Sequence, residues 1–195
     1  MDTCTHYGLS MEQIMEESLY QIETEGLSLE ALYDKDLWDH CRQVAHLSIM
    51  LGMLYRLDMH TLILLGTGGL LHDIGKSQIA GRIMNKPDGL SDSEFQLIQA
   101  HPTMGFRMLQ QYHFPEEVMQ MVLYHHEKLD GCGYPTGCRS IPLTVQLLTV
   151  ADVYAAISAK RCYHDSRTHE ETLAIVEQEH GLNHTAVRLL HCITG

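Results

Sequence analysis

The chain has 195 residues, 45% of them hydrophobic, which is enough for one well-filled core. Thirteen Lys and Arg against 25 Asp and Glu give a net charge of −12, a balance that repels long polyanions and excludes DNA and RNA polymers as partners. The most apolar stretch, Thr61 to Leu71, falls short of the roughly 20 residues a membrane span needs, and six cysteines with no CxxC pair and no secretory start point to the cytoplasm.

Apolar residues recur at helical spacing along almost the whole chain, and no alternating strand stands out, so the expected fold is all α, a single compact domain. Residues 1–30 carry a weaker helical pattern and read as a short leader to a domain spanning 31–195. Leu37, Cys41, Val44, Leu47, Leu51 and Leu54 mark one long helix, and Leu62, Leu65 and Gly69 lead a second into His72 and Asp73. The segment NKPDGLSD (85–92) reads as a loop, and Ser91 with Glu94 three residues on predicts a capping box that starts the next helix. Further helices are predicted at Thr103 to Tyr112, Glu116 to Lys128, Pro142 to Lys160, His169 to His180 and His184 to Cys192. The stretch DGCGYPTGCRSIP, between the second and third of these, is too rich in Gly and Pro to be helical.

Fourteen histidines invite a metal reading. Some ligand-type residues lie on the apolar stripes. Asp152 shares a face with Val145, Leu148 and Ala159, and His40 with Leu37, Val44, Leu47 and Leu51. A buried carboxylate is costly unless something positive meets it. Taken singly, each also reads as a hydrogen-bonded core residue. The consecutive pairs His72-Asp73 and His125-His126 say more. Helix neighbours point about 100° apart, so both members of a pair serve one site only if it is wide, as for two metals. Imidazole and carboxylate ligands suit zinc, iron, manganese or nickel, and a bridging aspartate holds two such ions about 3.5–4 Å apart.

The motifs HDIGK (His72 to Lys76), HPTMG from His101, HHEKLDGCGYP (His125 to Pro135) and ADVYAA (Ala151 to Ala156) resemble the signatures of the HD-GYP family. That family is a branch of the HD metal-dependent phosphohydrolases, and the likeness runs from about Asp36 to the C-terminus. The resemblance implies an HD-type helical domain in which His40, His72, Asp73, His101, His125, His126 and Asp152 ligate metal, with Asp73 as the bridge. It implies two divalent transition-metal ions, iron or manganese before nickel or zinc. Asp36, where the family often has a glutamate, is the candidate ligand for a third, or a first-turn aspartate complementing the helix dipole. Lys76, one turn beyond His72 where a helix persists, would face a phosphate, Gly133, Tyr134 and Pro135 would lie beside the substrate, and Arg161 would take the second phosphate.

The activity so implied is hydrolysis of cyclic di-GMP to linear pGpG, and in some members to GMP, through attack of a metal-bridging hydroxide on phosphorus. A mixed cyclic GMP-AMP is the close second substrate. The competing class is a low-activity signalling module that docks on a diguanylate cyclase (GGDEF-domain) partner, and a homodimer is a further expectation. The loop Thr136 to Ser140 is shorter than the family's, Ala155 stands where an aspartate is common and Cys162 where proline is frequent. These departures bear on substrate fit and leave every expected ligand in place. Cys132 and Cys138, flanking the turn, read as unpaired thiols.

Overall fold

The computed structural model describes residues 8–84, 86, 89–159 and 167–193, and these form an all-helical domain. In chain order the helices are α1 (Met11–Thr24), α2 (Leu29–Leu32), α3 (Lys35–Leu54), α4 (Met59–Leu71), a 3-10 helix (Ile74–Gln78), α5 (Gly81–Met84), α6 (Asp92–Gln99), α7 (His101–Leu109), α8 (Glu116–Tyr124), α9 (Leu143–Ser158), α10 (His169–Val176) and α11 (His184–Leu190). Among the described residues no helix is long and apolar enough to cross a membrane.

The bundle is built around α4, whose residues from Leu64 to Leu71 are all buried, as a helix apolar on every side requires. It packs against α1, α3, α8 and α9. The segment expected as a leader belongs to this core. Ile14 and Ile22 of α1 are fully buried, and Ser18 Oγ donates to Ile63 O of α4 at 3.1 Å. Starts of helices follow local chemistry: Asp34 and Asp58 accept from the Leu37 and Thr61 amides, and Ser91 with Glu94 forms the expected capping box.

Several helices depart from their expected bounds. α7 begins at His101, and α8 stops at Tyr124 rather than continuing to Lys128. The α-helix before His72 does not persist to Lys76, which rides on the 3-10 helix instead. The reason is the same at both stops: a histidine side chain takes the carbonyl that the next helical amide would have used, and the chain turns toward a common centre.

Candidate metal centre

Three histidines sit where helices end, and each folds back on its own chain. Nδ1 of His72 lies 2.8 Å from Gly69 O, that of His101 2.7 Å from Ile98 O, and that of His125 2.9 Å from Val122 O. In each case Nδ1–H donates to a carbonyl of a last helical turn, which satisfies an orphan acceptor and fixes the tautomer. The Nε2 lone pairs therefore all face inward. This is the arrangement by which proteins orient imidazoles toward metals. Both consecutive pairs, His72-Asp73 and His125-His126, fall at helix ends, and both members of each pair reach the same cluster.

Asp73 stands at the middle. Its Oδ2 is 3.5 Å from His40 Nε2 and 3.3 Å from His72 Nε2, while Oδ1 is 3.0 Å from His101 Nε2 and 3.8 Å from His125 Nε2. Asp152 Oδ1 closes the first group, 3.1 Å from His40 Nε2 and 3.7 Å from His72 Nε2. Three mutually close sets result: His40, His72 and Asp73; His72, His125 and Asp152; and His101, His125 and His126.

These side chains fit divalent cations and fit poorly without positive charge. His72 Nε2 and Asp73 Oδ1 are buried with no hydrogen-bond partner, and the Nε2 atoms of His101 and His125 face each other at 3.0 Å although both Nδ1 protons are committed elsewhere. Burial opposes ionisation of Asp73 and Asp152. Lys76 and His72 nevertheless hold Asp73 well below the usual carboxylate range, and the nearby His40 imidazole, then that of His72, does so for Asp152. Burial would likewise lower His72, yet Asp73 pulls it well above its ordinary value, so the carboxylates demand a cation between them. Burial, with neighbouring imidazoles, keeps His125 neutral and takes His126 down to about 4, the form a metal ligand needs.

The rim is built by two further elements. Lys76 Nζ donates to Asp73 Oδ2 from the 3-10 helix, whose close approach to α7 depends on Gly75. A Cβ there would lie 2.0 Å from His101 O. On the other side the Tyr134 ring stacks on His126 at 4.6 Å, and Gly133 lets the turn press onto the backbone, since a Cβ would meet His126 O at 2.4 Å. Pro135 is exposed on this turn. Asp36, one helical turn before His40, is not brought into any ligand set; it is exposed and lines a cavity beside His40 and Lys76. Arg161 and Cys162 lie outside the described residues.

The motifs also conceal a residue that had no assigned part. Glu127 is 1% exposed, and its Oε1 accepts from Thr136 N (2.6 Å), Thr136 Oγ1 (2.8 Å) and Gly137 N (3.2 Å). It ties the turn carrying Tyr134 to the His125-His126 corner. The only sequence signal was a carboxylate next to two expected ligands. Tyr33, whose hydroxyl donates to Leu70 O at 2.9 Å beneath the centre, and Thr149, whose hydroxyl donates to His125 O at 2.8 Å, had no signal at all.

A helical bundle that converges histidines and aspartates from five helices on one buried central carboxylate defines an HD-type metal-site domain. A family model described as the HD domain matches residues 28–185, and the chain belongs to that family. HDIGK together with HHEKLDGCGYP places it in the HD-GYP branch. A cyclic di-GMP phosphodiesterase of Pseudomonas aeruginosa is 38% identical over 142 residues, 70% of this chain and 34% of that protein. A 3'3'-cGAMP-specific phosphodiesterase of Vibrio cholerae is 37% identical over 127 residues, 64% of this chain and 27% of its own length. This chain thus spans about a third of the curated relatives it matches. In fold it is similar to Bd1817, an HDGYP-type protein of Bdellovibrio bacteriovorus, with a TM-score of 0.69 at 22% identity over 96% of this chain and 63% of that one.

Proposed function

We propose that this protein is a metal-dependent phosphodiesterase that opens cyclic di-GMP to linear pGpG. One observation carries the reading: the two oxygens of buried Asp73 face two different sets of imidazoles, His40 with His72 and His101 with His125, as a carboxylate bridging two cations must. The proposed ligands are His40, His72, Asp73, His101, His125, His126 and Asp152. Iron or manganese is the proposed metal, since imidazole and carboxylate donors suit either. Bound there, the ions would polarise a phosphoryl oxygen and bring the pKa of water toward about 7, which supplies a nucleophile at neutral pH.

The chain's own groups do the rest. His40 and Lys76, with side chains 20% and 21% accessible, and the half-buried His126 are the partly exposed members of the centre, so the phosphodiester enters across the face they share. Burial would lower Lys76, but Asp73 keeps it above its ordinary value, a permanent ammonium that offsets charge on the equatorial oxygens. Tyr134, raised above its usual range by burial, stays a neutral ring beside His126 on which a nucleobase can rest. The names of the relatives support a cyclic dinucleotide, and the Vibrio cholerae relative keeps 3'3'-cGAMP as the second candidate.

Purified protein loaded with manganese or with iron is incubated with cyclic di-GMP and with nucleoside monophosphates, and the products are resolved. Linear pGpG is the expected product. Its absence from protein of verified metal content refutes the reading. Asp73→Ala should abolish turnover and lower metal content together, and an active variant would refute the bridging role.

A further inference from the structure

A cavity of about 360 Å³ opens beside the centre, with His40 and Lys76 in its wall. That is the lower end of the about 300–1,000 Å³ of ligand pockets, room for one flat ring system rather than a whole dinucleotide. Its apolar walls are Leu32 and Leu37 on one side and Ile79 on the other. Its remaining polar groups are Asp34, Asp36 and Ser77. The Ser77 hydroxyl proton is already given to Ile74 O at 2.7 Å, and Asp34 Oδ1 is occupied by the Leu37 amide at 2.9 Å. Asp36 lies between two residues that pair with each other across it, Lys35 and Asp39 at 3.7 Å, and makes no ion pair of its own among the described residues. Away from Lys76 and the His40 ring, the free side-chain groups of the cavity among the described residues are therefore the Asp34 and Asp36 carboxylates, which only accept.

Purines differ on this point. The Watson–Crick edge of guanine offers two adjacent donors, N1–H and the exocyclic amino group, which match the two oxygens of one carboxylate. Adenine places a lone pair at N1 against the same carboxylate and leaves an acceptor unpaired. We propose that this cavity holds one base of the substrate and that Asp36 selects guanine over adenine there. The inference deepens the phosphodiesterase reading, on which it rests for the position of the phosphate. It gives Asp36 a part on the base rather than on a third metal, in keeping with its place outside the three ligand sets.

The test uses the metal-loaded full chain, its Asp36→Asn and Asp36→Glu variants, and two readouts. Calorimetric titration with GMP and AMP reports base preference without turnover, and kcat/KM for cyclic di-GMP against cyclic di-AMP reports it with turnover. The parent protein should prefer guanine in both, the preference should fall about tenfold or more in Asp36→Asn with metal content unchanged, and Asp36→Glu should retain most of it. A preference that survives Asp36→Asn, or binding of neither mononucleotide, overturns the proposal. So does a loss of metal in Asp36→Asn with equal loss on both substrates, which would make Asp36 a ligand. If Asp36→Asn does not fold, Asp36→Ser carries the same comparison. Guanine preference that depends on Asp36 in a protein that cleaves no cyclic dinucleotide would leave the base pocket standing and remove the phosphodiesterase.

Discussion

The carboxylate of Glu127 does its work at a distance from the chemistry. It holds Thr136 and Gly137, and through them fixes the turn that lays Tyr134 on His126. Glu127→Ala removes an acceptor shared by three donors, and hydrogen bonds to a charged group contribute about 1.5–3 kcal/mol. The expected result is a KM for cyclic dinucleotide raised about tenfold or more, with metal content unchanged. Glu127→Gln keeps the accepting Oε1 and should recover much of the loss. Steady-state kinetics beside elemental analysis checks this, and metal loss in both variants would show that Glu127 supports the ligands instead. The motif made Glu127 visible in the sequence, but its partners stand nine and ten residues away across a turn, where no periodicity reports contact.

α6 is held by its ends rather than by a face. No residue of it is buried, and Phe95 and Leu97 remain exposed. Its capping box and the Lys86–Glu94 pair, 2.8 Å apart, are its main supports. Ser91→Ala should cost about 1 kcal/mol locally, seen as faster amide exchange across 92–99 with little change in Tm. Lys86 first, then Ser91, holds Glu94 at about 2, below its unfolded value. That contribution is present above the ordinary carboxylate range and is lost as pH falls through the folded pKa. Exchange in α6 should therefore quicken between about pH 4.5 and 2 in the parent and less so in Glu94→Gln. The start of this element was legible, because a capping box is contained within four consecutive residues. The C-terminal end of α8 was not, because the carbonyl of Val122 is claimed by a histidine oriented toward a tertiary centre.

The molecule as a whole is one core with a charged cluster at its heart, and two predictions follow from that. Ile14→Ala, in the segment that reads as a leader, should cost about 2–5 kcal/mol in chemical denaturation, since Ile14 is fully buried against the bundle. An unchanged midpoint would show that α1 contributes nothing to the core. Metal binding should stabilise the fold, because it supplies the positive charge that Asp73 and Asp152 require. At a free metal concentration a hundredfold above Kd the gain is about 2.7 kcal/mol, which corresponds to a rise in Tm of roughly 5–10 °C. A chelator should reverse the rise, and Asp73→Ala should not show it. Equal shifts in the parent and the variant would place the metal elsewhere.

The sequence by itself determined the helical fold, the core stripes, the Ser91–Glu94 capping box and the motifs that bear the candidate ligands. All of these are written in spacings of a few residues, and short-range geometry reads such spacings directly. Only the tertiary structure decided how the ligands meet. His72 and Asp73 reach one centre because α4 ends between Leu71 and the 3-10 helix, and Asp73 stands at its middle because histidines from α3, α4, α7 and α8 arrive on both sides of its carboxylate. Asp36, one turn from His40 in the sequence, is left in the neighbouring cavity. A helical turn sets which side of α3 a residue occupies, whereas the packing of α3 against its neighbours decides which residue on that side meets the cluster and which the open cavity.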